Sequence, residues 1–248
     1  MITRQFITEL STKFQTSEQN IAREYCQHLF LSYLYKKNNS DKMLFKGGTA
    51  LRIVFNSPRF SEDLDFSSNN LSVLDINVLI DSTLNDLKNE GIQYEKRVNP
   101  GTQGETSGGY FAIISLRLLD FDSEIRIQVS FRNDKLLQSN STLIQSDFLP
   151  PYTIIYLTEK ILVKEKIQAL IERAKPRDFF DLYFILRNQK LVKFIPKDIL
   201  NLKSRIYSIL KNGWENELKV FLPISYHSIL KDFKEKLAAE IETYIPNN

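Results

Sequence analysis

The chain has 248 residues, with 33 basic and 30 acidic side chains for a net charge of +3. Apolar residues make up 42% and charged residues 25%, the balance of a globular chain long enough to bury a core and far from a histone-like charge carpet. Cys26 is the only cysteine, and His28 and His227 are the only histidines. An intrachain disulfide and an all-Cys zinc site therefore cannot form, and any metal has to be held by carboxylates.

The charge is uneven. Residues 1–150 carry 16 basic against 18 acidic side chains, and residues 151–248 carry 17 against 12. This leaves room for a basic surface facing nucleic acid or a nucleotide, and equally for ordinary solvated helices. Met1 to Leu10 lacks a signal-peptide core and no apolar run approaches 18 residues, so the expected location is cytoplasmic, with no membrane partner.

Apolar spacing predicts a helix over 17–37, with Ile21, Tyr25, Leu29 and Leu34 on one stripe and His28 packed beside it. A short apolar strand, Met43 to Phe45, ends at Gly47-Gly48, and a helix follows from Thr49 to Phe55. Asp63 to Phe66 alternates as a half-buried strand does. A helix is predicted over 72–90 and a strand over 92–98. Pro100 to Gly109 holds four of the eight glycines and reads as a connection. Strands follow at 110–119 and 125–131, joined by an acidic turn, Asp120 to Glu124. Pro150-Pro151 marks a boundary between an α/β part, 1–150, and a helical part, 151–248. The predicted helices there are 158–174, 177–189, about 197–211 and about 225–243.

Four constellations could carry chemistry. Lys46-Gly47-Gly48-Thr49-Ala50-Leu51-Arg52 places two glycines and a hydroxyl where a strand turns into a helix. Backbone N–H groups at such a helix start make an anion site, although a tight turn capped by Thr49 reads the same way. In Ser61-Glu62-Asp63-Leu64-Asp65-Phe66 the two aspartates share one strand face. Two carboxylates side by side repel unless a cation lies between them, and Mg²⁺ prefers hard oxygen ligands while leaving positions for phosphates. Lys166 falls inside the apolar arc of the helix 158–174, so it either snorkels or meets an anion. In Pro176-Arg177-Asp178-Phe179-Phe180-Asp181, Asp178 suits the helix dipole. Asp181 lies among apolar residues and needs a partner, which Lys166 or Arg173 could supply for purely structural reasons.

The phrase FKGGTALR…RFSEDLDF, followed by EKIQAL and RAKPRDFFDLY, resembles the AbiEii/AbiGii toxin family of nucleotidyltransferases, itself similar to the DNA polymerase β-like superfamily. The resemblance spans roughly residues 43–190. It implies an α+β minimal nucleotidyltransferase fold, a mixed sheet flanked by helices, followed by an all-helical C-terminal part. By position, Gly47, Gly48, Thr49, Arg52 and Ser61 would hold nucleoside triphosphate, and Asp63 and Asp65 would bind Mg²⁺. Lys166 would offset phosphate charge, and Asp178 and Asp181 match the last acidic motif, with Asp181 the more telling.

The resemblance further implies a toxin of a type IV toxin–antitoxin or phage abortive-infection system, with a possible cognate antitoxin. It would transfer a nucleotide to an RNA 3′-hydroxyl, tRNA being favoured, with release of pyrophosphate. The alternatives are modification of a protein partner, or a catalytically weak nucleotide- or RNA-binding module. One departure stands out. The superfamily takes a third carboxylate from a later strand, and the position expected to be acidic is Gln128. Glu124 substitutes, the third ligand is dispensable, or the site is weakened.

Overall fold

The computed structural model describes residues 2–98, 109–131, 136–196 and 213–244. The chain forms two compact units, residues 1–56 with 60–157, and residues 57–59 with 158–248.

The first unit opens with helix α1 (Arg4–Phe14), capped by the Thr3 hydroxyl and burying Ile7 and Leu10. No helix is predicted there, because two buried residues among charges make a weak apolar stripe. Helix α2 (Glu18–Leu34) follows, capped by Ser17, and is buried on nearly all sides. Strand β1 (Met43–Lys46) runs directly into α3 (Gly47–Phe55). Strand β2 (Leu64–Ser68) is followed by α4 (Val73–Asn89), whose start is a capping box between Ser72 and Asp75.

Next come β3 (Gln93–Val98), β4 (Tyr110–Leu118) and β5 (Phe121–Phe131). The predicted acidic turn narrows to Leu119 and Asp120, with Leu119 at φ 55°, and Phe121 to Glu124 belong to the strand. Most of the glycine-rich connection lies outside the described residues.

Two strands complete the sheet where none is predicted, β6 (Ser139–Ile144) and β7 (Tyr152–Leu157). The helical part therefore starts not at residue 151 but after Leu157. Tyr152, Ile154 and Tyr156 alternate inward along β7, the period of a strand covered on one face. Strand β6 is polar and exposed, which leaves little apolar signal to read.

The sheet order is β3-β4-β5-β2-β1-β7-β6. It is mixed: β2 runs parallel to β5 and β1 to β7, while the other pairs are antiparallel. Ile125, Ile127 and Val129 of β5 point into the core, and Glu124, Arg126 and Gln128 point away from it. His28 packs as predicted: its ring lies 5.1 Å from that of Phe148, and its Nδ1 meets the Tyr152 hydroxyl at 2.7 Å.

The second unit contains α5 (Glu159–Arg173), α6 (Pro176–Arg187), α7 (Trp214–Lys219), α8 (His227–Leu230) and α9 (Phe233–Tyr244). Phe180, Tyr183, Trp214 and Phe233 form its aromatic core. The helix predicted over 197–211 lies outside the described residues. Among the described residues no helix is long and apolar enough to cross a membrane.

Candidate active site

The site on the first unit begins with the glycines. Helix α3 starts at Gly47 rather than Thr49, with Lys46 as its N-cap residue and no side-chain cap. Gly47, Gly48 and Thr49 therefore form the first turn, whose N–H groups have no partner within the helix. Gly47 has φ +83°, and a Cβ there would lie 2.8 Å from Asp65 Cβ and 2.9 Å from its Cγ. The Asp65 carboxylate thus stands against the start of α3, where unpaired N–H groups favour negative charge. Only glycine permits both the backbone angle and the approach.

Sheet register fixes the rest of this row. Asp65 pairs with Lys46 on β1 and with Gln128 on β5. Lys46 reaches across to donate to Ser130 Oγ at 3.1 Å. Asp63 and Asp65 are half-buried, while Leu64 and Phe66 point inward and are fully buried. Glu124 is four residues from Gln128 along β5, about 13 Å at strand rise, and sits by Arg126 at 3.4 Å and Arg97 at 3.9 Å. It does not occupy the place beside Asp65; an amide does.

Two of the residues assigned by resemblance have side-chain partners within the protein. The Thr49 hydroxyl is buried and donates to the Asp63 carbonyl. Arg52 is turned to α2: Nε donates to Glu24 Oε1 at 2.6 Å and Nη2 to Oε2 at 3.2 Å. Its guanidinium also lies 4.0 Å over the Phe60 ring. Arg52 is five residues into α3, about 7 Å along the axis from the helix start. It ties α3 to α2. Ser61 lies in the approach to β2, where its carbonyl accepts from Gln27 Nε2 at 2.9 Å.

The second unit holds the other predicted residues. Lys166 of α5 donates to Asp181 Oδ2 of α6 at 2.8 Å, the helix-to-helix pair that the buried stripe demanded. The stronger partner is Arg59, whose Nε and Nη2 bind the two Asp181 oxygens at 2.9 and 3.0 Å. Burial alone would push the Asp181 carboxyl up, but Arg59 and then Lys166 hold it below the usual carboxylate range. It remains an anion and is no proton donor near neutrality. Arg173 takes Asp178 instead, with bonds of 2.9 and 2.7 Å, and the Lys175 N–H adds a third at 3.1 Å. Asp178 is thereby a helix-start residue, as its first-turn position suggests.

Among the described residues no group of three or more His, Cys, Asp or Glu side chains could hold a metal. Asp65 and the Gln128 amide lie in register on the sheet, with Asp63 just before the strand; their oxygens are of the hard type that fits Mg²⁺ when substrate and water supply the remaining ligands.

The family model described as nucleotidyl transferase AbiEii toxin, type IV TA system, matches residues 29–236. The chain belongs to this family. It is a toxin-type nucleotidyltransferase, and membership carries a nucleotide substrate and a cognate antitoxin. No curated protein matches it.

Three solved structures share the fold. One, from H. pylori and described as a candidate nucleotidyltransferase, is 18% identical with a TM-score of 0.68, covering 92% of this chain and 96% of its own. JHP933 from Helicobacter pylori is 19% identical with a TM-score of 0.66, covering 93% of each chain. MenT4, a nucleotidyltransferase toxin from Mycobacterium tuberculosis H37Rv, is 16% identical with a TM-score of 0.62, covering 100% of this chain and 91% of its own.

In this AbiEii chain, three structural partners escape a reading by motif. Arg59 sits inside the quoted phrase, and its signal is a lone cation between Pro58 and Phe60. Glu24 and Gln27 are polar residues in a helix buried on nearly all sides. That misfit is the only trace of them in the sequence.

Proposed function

We propose that the protein transfers a nucleotide from a Mg²⁺-bound nucleoside triphosphate to the 3′-hydroxyl of an RNA, with tRNA as the favoured acceptor, and releases pyrophosphate. The observation that carries this reading is the contact between Asp65 and the space above Gly47. A carboxylate for a cation and a helix start for an anion stand side by side, the pairing that a metal-bound triphosphate requires. Asp63 and Asp65 would hold the metal, which when bound neutralises phosphate charge and acidifies the attacking hydroxyl. The first-turn N–H groups of α3 orient the triphosphate. Gln128 orients the hydroxyl by hydrogen bonding but cannot take its proton as a carboxylate does. Lys166 and Arg59 place two cations on one carboxylate in the second unit, chemistry suited to phosphate charge.

The test is incubation with labelled nucleoside triphosphates, Mg²⁺ and total RNA, comparing wild type with Asp63→Ala. Label on RNA from wild type alone supports the reading, and label in the tRNA fraction identifies the acceptor. Equal absence of product from both proteins sinks it. Label on polypeptide, for example on a co-expressed antitoxin, would move the acceptor to protein. The amide at Gln128 favours a second reading, a nucleotide- or RNA-binding module of low turnover. That reading predicts nucleotide binding without labelled product.

A further inference from the structure

Asp63 lies just outside the sheet. Strand pairing begins at Leu64, opposite Ile127, so Asp63 and the residues before it lead into the strand. Three consecutive carbonyls are held. Gln27 Nε2 donates to Ser61 O at 2.9 Å and to Glu62 O at 3.0 Å. The Thr49 hydroxyl donates to Asp63 O. Arg23 Nη1 adds an ion pair to the Glu62 carboxylate at 3.5 Å. Gln27 is 1% exposed and sits in the middle of α2, so its amide is a fixed donor set rather than a surface contact. It also precedes residues 29–236, the region that the family model matches.

We propose that Gln27 is a positioning residue. Its amide clamps the Ser61 and Glu62 carbonyls, and the clamp sets the direction of the Asp63 carboxylate. This rests on the reading of Asp63 as a metal ligand. The physical reason is geometric: a metal site tolerates errors of only a few tenths of an ångström, and residues behind the ligands hold that tolerance. The two N–H bonds hold two adjacent carbonyls immediately before Asp63 from one buried side chain, which fixes the direction in which the chain enters β2.

The test compares Gln27→Met, of similar length but with no donor, and Gln27→Glu, of similar shape with its donors replaced by acceptors. Gln19→Met is the control. Gln19 lies on the same helix and donates to Asp122 O at 2.7 Å and Ser123 Oγ at 2.8 Å, a comparable buttress for a turn unrelated to Asp63. Mn²⁺ binding by electron paramagnetic resonance and the Mg²⁺ dependence of nucleotidyl transfer are measured on the full chain.

Both Gln27 variants are expected to weaken Mn²⁺ binding and raise half-saturating Mg²⁺ by about 10- to 100-fold. The KM for RNA should stay near wild type, and Gln19→Met should behave as wild type. Wild-type Mn²⁺ affinity in whichever Gln27 variant folds, or an equal loss in Gln19→Met, overturns the proposal. A wild type that binds Mn²⁺ no better than Asp63→Ala overturns the metal reading itself, and this proposal with it. A wild type that binds Mn²⁺ but transfers nothing leaves the Gln27 comparison to be decided by affinity alone.

Discussion

Asp65 occupies the space that a side chain at Gly47 would need. The glycine is therefore part of the carboxylate site as well as of the helix start. Gly47→Ala adds a methyl group to that space and forces an alanine to φ +83°. A positive φ costs an L residue about 1 kcal/mol or more, and displacement of Asp65 comes on top. Gly213 separates the two effects, because it has φ +88° with nothing within 4 Å of an added Cβ. Thermal melts should show Gly213→Ala losing only the backbone contribution. Gly47→Ala should lose more stability and, in the transfer assay, about 100-fold or more in rate.

Asp181 and Lys166 should respond differently to substitution. Asp181→Asn leaves Arg59 and Lys166 without their carboxylate in a buried place, which costs about 3–5 kcal/mol when a buried pair is broken. Lys166→Met leaves the Arg59–Asp181 fork in place, so the protein should fold, with transfer reduced about 100-fold. Chemical denaturation and the transfer assay on both variants check this. Because Asp181 titrates below its unfolded value, its contribution is complete above the ordinary carboxylate range and is lost as pH falls through the lowered folded value. Asp181→Asn should therefore flatten the acid limb of the stability profile.

Gln128 is exposed and in register with Asp65, so it can be changed without disturbing the core. Gln128→Asp should bring a third carboxylate to the metal face and lower the half-saturating Mg²⁺ by about an order of magnitude. Calorimetric titration with Mg²⁺ or Mn²⁺ reads it directly. Unchanged affinity would show that this position lies outside the metal shell.

His28 should make stability depend on pH. Burial pushes its imidazole down to about 4, with Glu24 opposing the shift and Arg52 adding to it. Between about 4 and 6.5 the unfolded chain binds more protons than the folded one, so stability rises with pH across that window and is complete above it. The largest contribution from one such group is about 3 kcal/mol. His28→Gln should flatten the stability profile between pH 4 and 6.5 relative to wild type, as measured by urea denaturation at each pH.

Much of the core was legible along the chain. The strands β4 and β5, the apolar stripe of α4 and the glycine pair after β1 are local signals, because periodicity and turn chemistry act over a few residues. The order of Gly-Gly, D-x-D, lysine and final acidic motif was legible for the same reason, and it sufficed for the family. Helix α1 and strand β6 were not, since each buries too little apolar surface to leave a pattern. Strand β7 was lost to a boundary read from two prolines.

The sequence by itself determined which chemical groups are present: two carboxylates two residues apart, a glycine helix start, a buried-stripe lysine and an aspartate in an apolar helix. Only the tertiary structure decided their partners. Register placed Gln128, and not Glu124, beside Asp65, because a strand side chain reaches its neighbour across about 5 Å but not along 13 Å. Folding gave Asp181 to Arg59 as well as Lys166, Arg52 to Glu24, and the backbone before Asp63 to Gln27. The contacts made by Arg59, Arg52 and Gln27 each join residues at least 28 positions apart. Burial made them obligatory, because a charge or carbonyl removed from water must find its partner wherever the fold supplies one.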